Sequence, residues 1–194
     1  MPEEQALRER AAVITSEHTV RGMFLQSAVE FLRRARGQAV VDEMLASAGM
    51  TADWRAMRKV PLQEFNKLRM HVCTAFLPVV GSIEEASAKV GASAVEIFFE
   101  SVAGRTMMLL AGKDPHRLMG AAPNGYGLAV EDGATRKYEK VGENEGRFEF
   151  VNDRLGPCHQ VGVFSAAIQV VCGVTINVEI EQPALLNFTF KVRW

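Results

Sequence analysis

From Gly22 onward, apolar residues recur every three or four positions. Phe24, Leu25, Ala28, Phe31, Leu32 and Ala35 fall on one side of a helix that Gly37 closes. Val41, Met44, Leu45 and Ala48 repeat the rhythm up to Gly49, and a linker with Trp54 follows. In VPLQEFNKLRMHVCTAFLPVV, Pro61 occupies a position that a first helical turn tolerates. Leu62, Phe65, Leu68, Val72 and Phe76 then share a stripe, and Pro78 is expected to end the helix. Ser82 and Glu85 have the spacing of a capping box ahead of Ile83, Ala86, Val90, Ala94, Ile97 and Phe98. GRTMMLLAG is apolar enough for a short buried helix, and Asp114-Pro115 opens another short one through Met119.

After the turn signal Pro123-Asn124-Gly125 the period changes to two. Residues 126–130, 136–141 and 147–151 read as strands, separated by Gly133 and the GENEG turn. One helix interrupts them, from Pro157 to Gly173, with Val161, Phe164, Ile168 and Val171 on its buried side. The last segment alternates cleanly: Val174, Ile176, Val178 and Ile180, a turn at Gln182-Pro183-Ala184, then Leu186, Phe188, Phe190, Val192 and Trp194. The expected fold class is α+β, with N-terminal helices packed on a C-terminal antiparallel sheet of strands, helix and terminal β-hairpin. Residues 1–18 read as a polar lead-in and residues 19–194 as one domain.

Charge narrows the partners. The 194 residues carry 22 basic and 23 acidic side chains, so no whole-chain field draws the protein to nucleic acid or to an anionic membrane. The run Arg33, Arg34 and Arg36 reads as a solvated helix end. MPEEQALRER lacks the apolar core of a signal peptide, and no stretch approaches the ~18 apolar residues of a membrane span, so a cytoplasmic location is expected. Cys73, Cys158 and Cys172 are read as reduced thiols.

VRGMFLQSAVEFLRRARG, VPLQEFNKL and LNFTFKVRW resemble the corresponding segments of an uncharacterised paralogous family of myxobacteria, over about Val20 to Trp194. The layout is similar in turn to 4-vinyl-reductase-like ligand-sensing domains and to haem-nitric-oxide-binding domains. That resemblance implies a sensing fold. Its zinc and haem chemistry does not carry over, because Pro183 and Asn187 stand near where two zinc-holding cysteines would be. No Tyr-x-Ser-x-Arg stretch is present, and His71, the histidine that invites comparison with an axial ligand, reads as a polar surface residue.

Candidate chemistry is sparse. Cys158 and Cys172 lie at opposite ends of one helix, His71 and Cys73 point to different sides of another, and no metal or cofactor is expected. The glycines of GVGASA and GAAPNGYG lack phosphate-loop spacing, and Glu84-Glu85 and Glu131-Asp132 read as solvated acids. Cys158 stands at a helix start, where the dipole favours thiolate, so a thiol-dependent enzyme using Cys158 with His159 or His116 is the alternative reading. The leading one is a non-catalytic regulatory or binding module that senses a small hydrophobic ligand or mediates protein–protein interaction. Its candidate ligand-binding residues are Phe98, Phe99, Met107, Met108, Leu110, Phe164 and Ile168, with ordinary core packing as the competing account. A hairpin rich in Phe188, Phe190 and Trp194 needs a cover, and a homodimer is one candidate for it.

Overall fold

A computed structural model describes residues 2–194. The charged lead-in forms helix α1 (Glu3–Ala12), and strand β1 (Thr19–Arg21) then runs into α2 (Gly22–Arg36) and α3 (Gln38–Ala48). Strand β2 (Lys59–Pro61) leads into α4 (Leu62–Val80), α5 (Ile83–Glu100), α6 (Val102–Ala111) and α7 (Pro115–Ala129). The strand-rich half follows: β3 (Val130–Glu131), β4 (Thr135–Gly142), β5 (Glu145–Val151), α8 (Pro157–Cys172), β6 (Asn177–Ala184) and β7 (Asn187–Arg193). Gly49 and Gly173, in the left-handed region, close helices as the sequence suggests, and Gly81 rather than the expected Pro78 closes α4. The capping serine is in place, with Ser82 Oγ accepting from the Glu85 amide at 3.1 Å.

The fold is α+β. The main sheet has the antiparallel order β4-β5-β7-β6, and a small sheet of order β2-β1-β3 ties the first half of the chain to the end of α7. One core fills the bundle of α2, α3, α4 and α5. A second lies between the main sheet and the helices α5, α7 and α8. Phe148, Phe150, Phe188, Phe190 and Val192 all point to this second core and are 0–1 % exposed. Phe150 stacks on Phe188 at 4.4 Å between ring centres, and Phe164 of α8 meets Phe148 edge-on at 4.7 Å. The cover for the aromatic hairpin therefore comes from the chain's own helices. Strand β7 is interior, β4 and β6 are the edges, and Trp194 rests edge-on against His116 at 4.7 Å.

Local expectations fail where packing outweighs propensity. Helix α7 runs straight through Pro123, Asn124 and Gly125, ten residues past Met119, and the switch to strand comes only at Val130. Pro123 forgoes one hydrogen bond and Gly125 is a poor helix former, but burial of Ala122 and Gly125 holds the turn. Pro78 likewise sits inside the last turn of α4, which continues to Val80. The hairpin turns at Leu185-Leu186 rather than at Pro183, because β6 absorbs Gln182 and Pro183 in an irregularity between Glu181 and Ala184. Helix α6 is not buried: only Gly104 and Ala111 are covered, while Val102, Leu109 and Leu110 are exposed. Gly104 packs directly on the Phe98 backbone at the end of α5, and Leu109 and Leu110 face outward.

Candidate functional site

The two cores meet around a cavity of about 100 Å³. Val20, Phe24 and Phe65 wall it from the bundle side, and Val95, Leu118, Phe164 and Ile168 from the sheet side. Five residues expected from the sequence, Phe98, Phe99, Met107, Phe164 and Ile168, line this one space. Met108 packs against the second core without lining the cavity, and Leu110 is 72 % exposed on the outer side of α6. Met107 reaches in from α6 towards Gly125, where a Cβ would stand 3.1 Å from its Sδ. Gly125 thus serves as close-packed helix floor, although its sequence context signals a turn.

Two polar side chains reach this apolar lining, Tyr126 and His159, and neither is singled out for it by the sequence. The Tyr126 hydroxyl donates to Gln160 Oε1, and burial pushes its ionisation far above the ordinary tyrosine range. Gln160 Nε2 donates to Asp153 at 2.8 Å, and Asp153 also takes Arg136 Nη2 at 2.6 Å and the Leu155 and Gly156 amides at 2.9 and 2.8 Å. Asp132 holds the same guanidinium from the other side, at 2.6 and 3.1 Å, and Arg136 lies 4.3 Å over the Tyr126 ring. Burial keeps the His159 imidazole neutral, holding its pKa well below the usual histidine value, with the Arg69 charge acting in the same direction.

Helix α1 packs on α4 and α5. Its Glu3 and Arg10 are buried and paired at 3.1 Å, and Arg10 lies against Gly156, whose φ of +82° and missing Cβ make room for the guanidinium.

Cys158 sits where its thiol is held away from the thiolate form. Burial, followed by the Glu3 carboxylate, pushes its thiol up to about 12. His116 is engaged elsewhere, with Nδ1 on the Tyr138 hydroxyl and Nε2 2.8 Å from the Glu143 carbonyl. Iodoacetamide should therefore alkylate Cys158 of the folded chain at pH 8 at least ~100-fold more slowly than a free thiol, read by mass spectrometry of the peptide. Labelling at the free-thiol rate would contradict this environment. Among the described residues no group of three or more His, Cys, Asp and Glu is placed to hold a metal ion, and no helix is long and apolar enough to cross a membrane.

A family model described as "Protein of unknown function (DUF2378)" matches residues 13–194. The chain belongs to the DUF2378 family. No curated protein sequence matches it. Among solved structures, the DUF2378 chain is similar to the Fe(II) unliganded H-NOX protein from K. algicida, with a TM-score of 0.71 at 14% identity over 89% of this chain and 95% of that one. A point variant of the T. tengcongensis H-NOX gives 0.68 at 20% identity, covering 89% and 95%. An oxygen-binding H-NOX domain related to soluble guanylate cyclases, in its oxygen complex, gives 0.63 at 18%, covering 89% and 93%. This likeness is one of fold, and it agrees with the layout expected from the sequence.

Haem does not fit the residues of this DUF2378 chain. The cavity, at about 100 Å³, is well below the ~300 Å³ at which pockets for drug-sized ligands begin. Its lining contains no arginine or lysine to neutralise two propionates. His71 stands outside it, with Nδ1 3.5 Å from Ser47 Oγ at the surface.

Proposed function

We propose that this DUF2378 chain is a non-catalytic sensor module: the cavity takes a small hydrophobic ligand, and a regulatory protein reads the occupied state. The apolar cavity between the two cores is the observation that carries this reading. An apolar cavity of about 150 Å³ stays dry and accepts benzene or xenon. The space here is somewhat smaller, and Met107, a flexible thioether on an outer helix, is the wall best able to yield to a guest. The similar fold of an oxygen-binding H-NOX domain supports sensing as the role. The kinship with a paralogous family of myxobacteria, the 4-vinyl-reductase-like layout, the cytoplasmic setting and a homodimer belong to the same proposal.

Toluene and xenon test it. The melting temperature of the wild type should rise with ligand concentration, following RT ln(1 + [L]/Kd), and the Met107 methyl signal should shift in NMR spectra. Ala122→Leu, which fills the space from α7, should abolish both responses. A wild type that answers neither ligand in either measurement sinks the reading.

A further inference from the structure

Arg69 of α4 is fully buried, and among the described residues no carboxylate pairs with it. The two other fully or nearly buried arginines each have acid partners, Arg10 with Glu3 at 3.1 Å and Arg136 with Asp132 and Asp153 at 2.6 Å. Arg69 Nη1 donates to the Leu155 carbonyl at 2.8 Å, while Nε and Nη2 have no partner. Those two nitrogens form the side-on edge of the guanidinium, the edge that grips both oxygens of a carboxylate. Burial lowers its pKa, but a guanidinium keeps its proton around neutral pH, so the demand stands there.

Three more side chains from the packed helices α4, α5 and α8 are unsatisfied with it: both amide atoms of Asn66, Ser87 Oγ and His159 Nδ1. All three residues are 0–3 % exposed. Buried polar atoms without partners are rare in native proteins, and Arg69 and Asn66, one turn apart on α4, carry four of them between them. Arg69 adjoins the apolar cavity. The Arg69 guanidinium lies 6.0 Å from the Phe65 ring centre and bonds to Leu155, and Phe65, Leu155 and His159 all line the cavity.

We propose that the free edge of Arg69 binds the carboxylate of a small organic acid, presented as the head of the apolar ligand or as a free short-chain acid. The first source rests on the cavity being a ligand site; the second does not. Asn66, one turn away on α4, supplies a further donor to the carboxylate, and Phe65 and Leu155 pass its apolar part to the cavity. Water is the competing occupant. Three buried arginines face three buried acids, Glu3, Asp132 and Asp153, so net charge alone asks for no anion. What favours a carboxylate is geometry: two free donors on one planar edge match a planar acceptor with two oxygens.

The test uses the full chain with toluene, benzoate, formate and sodium chloride at equal ionic strength, following melting temperature and the ¹⁵N signals of Arg69 Nε and His159. Benzoate should raise the melting temperature beyond chloride and move the Arg69 Nε signal. An equal response to formate assigns the site to free short acids, and a response to benzoate alone assigns it to a ligand head group. Arg69→Lys, which keeps the charge but loses the fork, should weaken benzoate binding on the order of tenfold or more and leave the toluene response unchanged. The wild-type NMR shift decides the matter if that variant does not fold. A toluene response with neither acid acting beyond chloride overturns this inference and leaves the cavity reading intact. Benzoate binding that leaves the Arg69 Nε signal in place overturns it as well.

Discussion

Asp153→Ala should lose about 3–5 kcal/mol of stability, read as a large fall in the urea midpoint at unchanged slope. Asp153 is 0 % exposed and answers four donors: Arg136, Gln160 and the amides of Leu155 and Gly156. Alanine would leave the two amides ahead of α8 and the Gln160 Nε2 without acceptors, and Arg136 with one carboxylate instead of two. Each orphaned buried group costs its desolvation, about 1–3 kcal/mol, so the loss is several-fold larger than that of a surface pair. Lys191 and Glu181, 2.5 Å apart on exposed neighbouring strands, provide the contrast. Removing either should barely move the urea midpoint, because solvent screens an exposed pair. A similarly small effect at Asp153 would mean that water reaches the network and replaces it.

Gly162→Ala carries the second large effect. Helices α5 and α8 approach backbone to backbone there. A Cβ on Gly162 would collide with the Ala88 carbonyl oxygen and stand 2.9 Å from its Cα. The reciprocal position behaves alike, since a Cβ on Gly91 would collide with the His159 carbonyl oxygen and come 3.3 Å from the Val163 amide nitrogen. No rotamer relieves a clash with backbone, so the helices must separate. Alanine adds about 1 kcal/mol of helix propensity, which favours the variant. Overpacking costs typically 1–3 kcal/mol, and between two main chains the upper end of that range or more applies, so a net loss of about 2 kcal/mol is expected in urea unfolding. Because Val95, His159, Phe164 and Ile168 on these two helices wall the cavity, the toluene response should weaken in parallel. A variant as stable as the wild type would contradict the close crossing.

Much of the fold was legible. The stripes of α2, α3, α4 and α8, the left-handed glycines Gly49 and Gly173 that stop two helices and the alternation of β7 depend on neighbours in sequence, and each element sits within a few residues of its expected span. The candidate cavity was legible in part. Phe98, Phe99, Met107, Phe164 and Ile168 were found because apolar residues on successive elements converge, whereas Leu110 shares their composition and points to solvent. Composition says that a side chain is apolar and not which side of α6 will be covered. His159 and Tyr126 carried no signal beyond residue type. Their placement depends on α8 crossing α5 and on α7 persisting through Pro123.

What the sequence by itself determined is the list of elements and the inward faces of most of them, because helical and strand periods are local properties of the chain. Only the tertiary structure decided the length of α7, the exposure of α6, the close crossing at Gly91 and Gly162, and the burial of Arg69, Asn66, Ser87 and His159 with atoms left unpartnered. Those depend on partners tens of residues away, whose packing free energy exceeds the local preferences of a proline, a glycine or a buried charge.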